Sequence, residues 1–433
     1  MLRFAPSPTG DMRIEELRVA LVNALVARQK DEQFIVRIED LDKERNIEGR
    51  DTEILQILEK FALPHDHVFH QSENLHIHQT LAIRLLEEKK AFVCTCTPEQ
   101  LEADCREAEE RGLPCHYSGR CEMMKSGELD RLKKEGVPFV IRLRKPELPV
   151  IFTDIIQGEI ERAPHEVDSF IILEADGSPT PIFASACDDM LTGIDMIIRG
   201  EEHIDDTPGQ IHIKQLLGYE TSTDYAHLPA ILDAEGGRMT EDAASLKWLF
   251  AGGFIPDAII NYLLLPWQRG SEELFTLPEA LEWFRLESIS RSPVHFDIDK
   301  LRDLNRKHLK KIDDKRLSTL FGFADADIGK LAKVYLEELT TVNELQERIK
   351  AIFSPKNFDG EWGEEMRRLE KIILDSPPIE AFDDFERDLK EKSGLEGEHF
   401  SKPLRILLTG RDEGPALDKL YPHIKSYLLE VAS

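Results

Sequence analysis

The chain has 433 residues, and 55 Lys and Arg residues against 83 Asp and Glu residues give it a formal net charge of −28 at pH 7. Hydrophobic residues make up 41% of the chain and charged residues 32%, a balance that excludes a disordered, collagen-like or low-complexity protein. At roughly 150 residues per domain, the length predicts about three domains. So acidic a chain repels phosphate, and contact with a nucleic acid would therefore need a local basic strip. The longest apolar run, Ala258–Trp267, is about half the length of a membrane span, and the first residues do not form a signal segment. We therefore expect a cytoplasmic protein without a membrane contact.

The first ninety residues alternate between strand and helix patterns. Leu2–Ala5 predicts a short strand before the loop Pro6–Gly10, and apolar residues at helical spacing predict a helix over Glu15–Gln29. Phe34–Ile38 is a second predicted strand, and it ends at a cluster of carboxylates in residues 39–42, where ligands bind in open α/β sheets. Further helices are predicted over Asp51–Phe61 and Asn74–Lys89. This alternation predicts the first half of a doubly wound α/β sheet.

Residues 91–184 differ in composition, because cysteine, proline and glycine become frequent there. We interpret them as an insertion with strands at Phe139–Leu143 and Ser169–Leu173. The sheet pattern resumes with a strand at Met196–Gly200, a helix at Gln210–Leu217 and a strand at Leu228–Leu232. Beyond Asp242 nearly everything is predicted to be helical, in the segments Ser245–Ala251, Ile255–Leu265, Pro278–Phe284, Asp297–His308, Asp327–Leu339, Val342–Phe353, Trp362–Ser376 and Arg405–Thr409.

A series of short motifs runs along the whole chain. The segment Arg3-Phe4-Ala5-Pro6-Ser7-Pro8-Thr9-Gly10 resembles the opening of the glutamyl-tRNA synthetases, which are class I aminoacyl-tRNA synthetases. Further strings that resemble the family, in the same order, are Arg37–Arg45, Gln71–Glu73, Asp176–Thr180, Asp188-Asp189, Ile198–His203, Ala226–Pro229, Phe296-Asp297, Asn305-Arg306, His308-Leu309, Leu408–Gly410 and Gly414-Pro415. Single strings of this kind would be chance, whereas their shared order over the chain indicates the family.

The resemblance implies an architecture and an activity. The fold implied is an α/β Rossmann-type catalytic domain with an inserted α+β acceptor-binding domain, followed by an all-α C-terminal anticodon-binding region. The implied division is 1–90 and 185–250 for the two catalytic halves, 91–184 for the insertion, 251–300 for a helical stem-contact domain and 301–433 for the anticodon-binding domain. The family activates L-glutamate with ATP and Mg²⁺ and transfers it to tRNA(Glu) or tRNA(Gln) in cytoplasmic protein biosynthesis, commonly as a monomer. If tRNA(Gln) is charged, an amidotransferase partner is implied as well.

The implied glutamate site relies on two guanidinium groups. Arg3 and Arg199 suit the substrate carboxylates, because a guanidinium binds a carboxylate through two parallel hydrogen bonds. Outside this motif context, a surface ion pair is the alternative for both. Glu39 can accept from the substrate ammonium. Two positions depart from the family, since Pro181 replaces a tyrosine and Glu174 replaces an arginine. The full implied set is Arg3, Ala5, Ser7, Glu39 and Arg199.

Both nucleotide signatures also depart from the family. Arg13-Ile14-Glu15-Glu16 replaces His-Ile-Gly-His, so Glu15 is expected to place a carboxylate beside the triphosphate. Arg238-Met239-Thr240-Glu241 replaces Lys-Met-Ser-Lys, and Glu241 stands where a lysine stabilises the leaving pyrophosphate. Two like charges about 4 Å apart cost on the order of 4 kcal/mol at an effective dielectric of about 20, so slow adenylation is expected. The implied ATP-binding residues are Pro6, Ser7, Pro8, Thr9, Gly10, Arg13, Glu202 and Met239, and the implied catalytic residues are Arg13, Arg238 and Thr240.

These departures leave two interpretations open. The first is a glutamate–tRNA ligase. The alternative is a catalytically degenerate paralogue that binds tRNA or a partner protein without aminoacylation. The order of the family strings fits both, whereas the altered nucleotide signatures favour the second.

Five of the six cysteines lie within residues 94–121, and such a cluster in a large cytosolic chain is more often metal-binding than disulfide-bonded. Cys94, Cys96, Tyr117 and Cys121 resemble the structural zinc site of the family's insertion, in which four protein ligands leave no open position. Cys115 or His116 could replace Tyr117 as a ligand, and free buried thiols are the alternative to a metal. Cys105 and Cys187 are interpreted as structural or inert.

Two further clusters are weighed against a solvated surface. His65, His67, His70, His76 and His78 form a histidine-rich stretch, which we interpret as solvated loop and helix surface. Basic residues at 306–315 form a local strip at the start of the helical half, where Lys307, Lys310 and Lys311 are predicted to contact tRNA. A solvated helix face is the alternative for this strip.

Overall fold

The computed structural model describes every residue except 113–114, 125–126, 128–130, 132–133, 241–244, 268–272 and 433. The described residues form two compact units. Unit 1 contains Met1–Leu246, Trp267 and Pro278–Phe296, and unit 2 contains Lys247–Pro266, residues 273–277 and the described residues from Asp297 onwards. Among the described helices, none has both the length and the apolar character that a membrane span requires. The division into five parts from the sequence analysis stays a prediction.

Unit 1 begins with a three-stranded parallel sheet in the order β1-β2-β3. The prediction contained only two strands here, because His67–His70 was assigned to the histidine-rich loop. In the structure this segment is β3, which pairs with β2 from Ile35 opposite His67 to Ile38 opposite His70. The elements are β1 (Leu2–Phe4), α1 (Ile14–Lys30), β2 (Phe34–Ile38), α2 (Arg50–Lys60), β3 (His67–His70), a 3₁₀ turn (Gln71–Asn74) and α3 (Leu75–Glu87).

Helix α1 begins within the first nucleotide signature and continues to Lys30. Leu17, Leu21 and Leu25 recur at helical spacing and are fully or almost fully buried. The helix begins after Arg13, whose backbone N–H donates to the carboxylate of Glu16 (2.7 Å), and it ends at Asp31 in the left-handed conformation. Because α1 is the element that follows β1 in the chain, its N-terminus lies on the side of the carboxyl end of β1.

The predicted insertion contributes to two different sheets. β4, β5 and β8 form an antiparallel sheet, whereas β6 and β7 join the sheet that contains β9 and β10. The elements are β4 (Ala91–Cys94), α4 (Pro98–Glu110), β5 (Val140–Leu143), β6 (Val150–Asp154), β7 (Gly158–Arg162), α5 (Pro164–Val167) and β8 (Ile171–Leu173).

A separate sheet in the order β7-β6-β10-β9 contains the next strands, and β10 pairs in parallel with both β6 and β9. The predicted strand Leu228–Leu232 is wrong, since the long strand is β10 (Asp224–Leu228), and Pro229, which has no N–H to donate, follows its end. The expectation that the chain beyond Asp242 is helical also misses β12, which pairs in parallel with β11. The elements are α6 (Pro181–Leu191), β9 (Met196–Gly200), α7 (Thr207–Leu216), β10 (Asp224–Leu228), β11 (Ile231–Leu232) and β12 (Val294–His295).

The remaining described elements are helices, as expected. Those of unit 2 after Phe296 surround one apolar core that includes Leu331, Leu369, Leu404 and Tyr421. The helices are α8 (Leu246–Ala251), α9 (Pro256–Leu264), α10 (Leu277–Trp283), α11 (Ile298–Lys311), α12 (Asp314–Thr319), α13 (Asp327–Tyr335), α14 (Val342–Phe353), α15 (Gly363–Asp375), α16 (Phe382–Ser393), α17 (Glu398–Thr409), α18 (Leu417–Ile424) and α19 (Leu428–Val431), with 3₁₀ turns at Glu201–His203, Leu265–Trp267, Leu286–Ser288 and Lys425–Tyr427.

Candidate active site

A cavity of about 320 Å³ opens at the carboxyl ends of β1, β2 and β9 in unit 1. Parallel strands place the residues that follow them at one edge of the sheet, and ligands bind there in open α/β sheets. All five residues of the predicted glutamate set line this cavity: Arg3, Ala5, Ser7, Glu39 and Arg199.

A buried carboxylate holds two arginines on one side of the cavity. Asp189 accepts from Arg3 Nε (3.1 Å) and from Arg37 Nη1 (2.6 Å), and all three side chains are almost fully buried. Burial alone would raise the pKa of the Asp189 carboxyl, but the charges of Arg3 and Arg37 hold it far below its usual range. Glu39 accepts from Arg37 Nη2 (3.1 Å) and from the Ser185 hydroxyl (2.8 Å). Arg3 and Glu39 are therefore both held in position before any ligand arrives.

Arg199 differs from the other buried arginines of the cavity. Its Nε donates to His227 Nε2 (3.1 Å), and its Nη2 donates to the Thr207 hydroxyl (2.7 Å) and the His203 carbonyl (3.1 Å). Among the described residues no carboxylate lies within ion-pair distance of this guanidinium, which is only 8% exposed. Burial and the nearby charge of Arg3 lower the pKa of Arg199 to about 10. The charges of Asp189 and Asp206 act on Arg199 only from beyond ion-pair distance, and a buried cation that faces a cavity without a directly paired carboxylate favours an anionic ligand.

The predicted ATP-binding residues are divided between this cavity and a neighbouring one. Pro6, Ser7, Thr9 and Arg13 line both cavities, and the second cavity has a volume of about 330 Å³. Glu202 lines the first, Gly10 lines only the second, and Pro8 lines neither.

The predicted catalytic residues of the second nucleotide signature do not line either cavity. Arg238 is exposed and forms an isolated antiparallel bridge with Leu232, and neither it, Met239 nor Thr240 lines a cavity described above. Glu241 lies outside the described residues. The structure therefore does not include Arg238 or Thr240 among the residues that line the two cavities with Arg13.

Glu15, the carboxylate expected beside the triphosphate, does not line either cavity. Glu15 Oε1 accepts from the backbone N–H of Ile231 (3.0 Å), which directs its side chain towards the start of β11. Four acidic residues line the first cavity, Glu16, Glu39, Glu202 and Asp206, and of these only Glu16 belongs to the nucleotide signature. Burial raises the pKa of Glu16, whereas the hydrogen bond from the Arg13 N–H and the charge of Arg13 lower it. The negative charges of Glu15 and Glu202 raise it further, and the net shift of the Glu16 pKa is upward.

The predicted zinc ligands converge on one point beside β4. The Sγ atoms of Cys94, Cys96 and Cys121 all lie within 4.8 Å of one another. The Tyr117 hydroxyl lies 3.4 Å from Cys94 Sγ and 3.8 Å from Cys96 Sγ, and it accepts from the Cys121 backbone N–H (2.9 Å). The guanidinium of Arg142 stacks 4.4 Å from the Tyr117 ring centroid. Three thiols and a phenol oxygen in this arrangement match the ligand number and donor types of a closed zinc site.

The structure differs from two expectations about the remaining cysteines and histidines. Cys105 and Cys115 are joined by a disulfide, so Cys115 is not available to replace Tyr117, and the metal interpretation applies only to part of the cysteine cluster. His78 is fully buried and donates from Nε2 to Asp188 (2.8 Å), so the prediction that the histidine-rich stretch is all solvated surface is wrong at this residue. The buried partner of His78 is Asp188 in α6, 110 residues further along the chain, so the sequence around His78 did not indicate its burial.

The three lysines predicted to contact tRNA lie on α11 in unit 2, and two of them are paired. Lys307 forms ion pairs with Glu273 and Asp303, and Lys310 pairs with Glu337 (2.8 Å). Lys311 has no carboxylate partner in the part of the chain that the structure describes. Of the three, Lys311 therefore offers the least neutralised charge.

Comparisons with known proteins identify the family of the chain. The family model described as "tRNA synthetases class I (E and Q), catalytic domain" matches residues 1–303. The chain belongs to this family of aminoacyl-tRNA synthetases, as its motifs predicted. It is 63% identical to Glutamate--tRNA ligase 2 of a Sulfurovum species, over 100% of both chains, and 48% identical to Glutamate--tRNA ligase 1 of a Nitratiruptor species, again over 100% of both.

A solved structure shares the fold. The crystal structure of a glutamate tRNA ligase from Elizabethkingia meningosepticum in complex with its amino acid aligns with a TM-score of 0.81 and 24% identity, covering 100% of this chain and 98% of that one. The α/β class I catalytic fold with a mostly helical C-terminal region is therefore confirmed. The names of the curated relatives favour a ligase over the non-catalytic alternative.

Proposed function

We propose that the chain is a glutamate–tRNA ligase that activates L-glutamate with ATP and Mg²⁺ and transfers it to the 3′ end of tRNA(Glu) or tRNA(Gln) in protein biosynthesis. The observation that carries the proposal is the buried guanidinium of Arg199, which faces the cavity with no carboxylate of the described residues at ion-pair distance. The high identity to ligases over the whole chain supports it.

In this proposal the cavity binds the amino acid by charge. Arg3 and Arg199 bind the two carboxylates of glutamate, and Glu39 accepts from its ammonium group. The triphosphate of ATP then lies along Ser7–Gly10 and Arg13, where the guanidinium of Arg13 faces the phosphates. The reaction has no covalent enzyme intermediate, so the residues act by positioning the glutamate carboxylate against the α-phosphorus and by stabilising developing charge.

Zinc is proposed as a structural ion of the insertion. Cys94, Cys96 and Cys121 would bind it as thiolates and Tyr117 would supply an oxygen. With four protein ligands the ion would hold β4 against the loop at 117–121 and leave no open position for a substrate. This region is proposed to bind the tRNA acceptor stem.

The remaining parts of the proposal concern partners. The helices from residue 251 onwards are proposed to contact the tRNA stem and anticodon, with Lys307, Lys310 and Lys311 at the interface. The chain is proposed to act in the cytoplasm as a monomer. If it charges tRNA(Gln), an amidotransferase must convert the attached glutamate.

Glutamate-dependent exchange of pyrophosphate into ATP, measured with tRNA present, tests the function. We expect exchange with L-glutamate and at least about 100-fold less with L-glutamine, since a neutral amide leaves the buried guanidinium unpaired. Arg199→Gln should abolish exchange, whereas the exposed control Arg162→Gln, which pairs with Asp205 outside the cavity, should retain it. Binding of tRNA without any exchange would instead support the non-catalytic alternative.

A further inference from the structure

A buried chain of hydrogen bonds connects β6 to the cavity through β10. Asp154 Oδ2 lies 2.6 Å from His227 Nδ1, and His227 Nε2 lies 3.1 Å from Arg199 Nε. The side chains of Asp154 and His227 are both fully buried. Neither residue lines the cavity, so neither touches a ligand there directly.

The donors in this chain determine where the proton of His227 lies. Burial alone would raise the pKa of Asp154, but hydrogen bonds from His227 and from the N–H groups of Gln157 (2.7 Å) and Ile156 (2.9 Å) hold it below its ordinary value. Asp154 is therefore an ionised acceptor, and His227 Nδ1 must carry the hydrogen. Arg199 Nε–H can only donate, so His227 Nε2 must be the unprotonated acceptor. His227 is a neutral imidazole with its hydrogen on Nδ1.

This arrangement limits how the guanidinium can turn. His227 accepts from Nε of Arg199, and Thr207 with the His203 carbonyl accepts from Nη2. In the described residues Nη1 has no protein acceptor, and it is the edge left for the cavity. We propose that His227, oriented by Asp154, is a positioning residue that presents the free edge of Arg199 to the side-chain carboxylate of the amino acid. This inference rests on the proposed function, in which Arg199 binds glutamate.

The charged groups around His227 oppose its protonation. Burial lowers its pKa, Asp154 raises it, and the charges of Arg199 on β9 and His203 on the following 3₁₀ turn lower it further, with a net downward shift. Asp206, at the N-terminus of α7, is also close enough to interact with it electrostatically. A second hydrogen would have to enter at Nε2, against the Arg199 N–H. Acidification below the lowered pKa of His227 should therefore release Arg199 and weaken glutamate binding.

Two substitutions separate the contacts at Nε2, which faces Arg199 Nε and the Thr207 hydroxyl (3.0 Å), from the contact of Nδ1 with Asp154. His227→Gln places a side-chain oxygen near the position of Nε2 and retains an acceptor for Arg199. His227→Asn places its polar atoms near Nδ1 and loses that acceptor. We expect the KM for glutamate to rise about 10- to 100-fold in His227→Asn, as for the loss of a hydrogen bond to a charged group, and much less in His227→Gln. The KM for ATP should stay unchanged in both, and equal effects of the two substitutions on glutamate would overturn the proposal.

A second measurement does not depend on activity or on the folding of the variants. The ¹⁵N NMR spectrum of the unmodified full-length chain, with His227 assigned, should show a protonated Nδ1 and an unprotonated Nε2 at pH 7.5. A hydrogen on Nε2 at that pH would refute the inferred contact with Arg199. If the unmodified chain shows no glutamate-dependent exchange, the proposed function fails, while this spectrum still decides whether His227 holds Arg199 as inferred.

Discussion

Asp188 and Asp189 are neighbours in α6, yet their carboxylates bind different parts of the fold. Asp188 is fully buried and accepts from the side chains of Gln71, Asn74 and His78, at distances of 2.8–2.9 Å. Asp189 instead binds the arginines beside the cavity. One turn of helix therefore joins the segment after β3 to the amino-acid site, and a change in α6 should affect both.

Asp189→Asn should weaken both the fold and glutamate binding. Removing its charge leaves the buried guanidinium of Arg3 without its carboxylate partner and leaves Arg37 paired with Glu39 alone, and breaking a buried ion pair in this way costs about 3–5 kcal/mol. Urea denaturation should show that loss in the free energy of unfolding, and the KM for glutamate should rise because Arg3 is no longer held. The control is Asp205→Asn, which breaks an exposed pair with Arg162 and should change the free energy of unfolding by at most about 1 kcal/mol. A loss of similar size in both variants would contradict the role given to Asp189.

Glu16→Gln should improve the use of ATP, because it removes a carboxylate from the cavity where the phosphates are proposed to lie. The side chain of Glu16 is 31% exposed, so solvent screens part of the repulsion, and we expect the KM for ATP to fall about three- to tenfold. The control is Glu15→Gln, whose carboxylate binds the backbone of Ile231 and should give no gain. An equal gain from both would mean that Glu15 also faces the nucleotide.

Because the pKa of Glu16 is raised, the effect of its carboxylate on the KM for ATP should depend on pH. Because the folded protein binds a proton at Glu16 more tightly than the unfolded chain does, this group stabilises the fold increasingly as pH falls from its raised pKa towards the ordinary value of about 4.5. Over the same range the loss of its charge should lower the KM for ATP. Comparison of the unmodified chain with Glu16→Gln between about pH 5 and 7 isolates the contribution of this group.

Removal of zinc should destabilise the insertion without altering the cavity. Elemental analysis should find about one zinc per chain, and Cys96→Ser should lose it and lower the Tm. Tyr117→Phe keeps the ring that stacks on Arg142 but removes the oxygen, so its zinc affinity should fall while its packing remains. Cys187→Ala, in a different core cluster, should retain zinc. Less than about a third of an equivalent in the unmodified protein, with no gain after reconstitution, would refute the zinc proposal.

Within the basic strip, Lys311→Glu should weaken tRNA binding more than Lys310→Glu. Glu337 already neutralises Lys310, whereas Lys311 is free to contact phosphate. Removing one phosphate-binding cation should reduce the slope of log affinity against log salt by about 0.7–0.9. Filter binding at several salt concentrations measures both quantities. Unchanged affinity and slope in Lys311→Glu would remove this residue from the interface.

Segments with strong local patterns were predicted at their observed bounds. Phe34–Ile38 and Met196–Gly200 are almost continuous apolar runs, and Val342–Phe353 has clear helical spacing, so local sequence was enough. β3 was missed because histidines stand at both of its ends and resemble a polar loop. β10 was displaced because Asp224 and His227 interrupt its apolar pattern.

The candidate site was predictable only as far as its motifs. Arg3 and Arg199 were found by resemblance to the family, and both line the cavity. Asp154 and Thr207 had no local signal, because their partner His227 lies 73 and 20 residues further along the chain. The direction of Glu15 was also missed, since it depends on a contact with a backbone group 216 residues away.

The pairing of β11 with β12 has a consequence for the folding of this chain while the ribosome makes it. Residues 231–232 pair with residues 294–295, and much of the chain between them belongs to unit 2. At about 5–20 residues per second, a ribosome takes roughly 3–12 s to produce β12 after β11. During that interval β11 has an unpaired edge that another chain could occupy. A shortened version of unit 1 that ends near residue 250 would keep this edge open permanently, so any fragment made to study the cavity alone should retain residues 278–296.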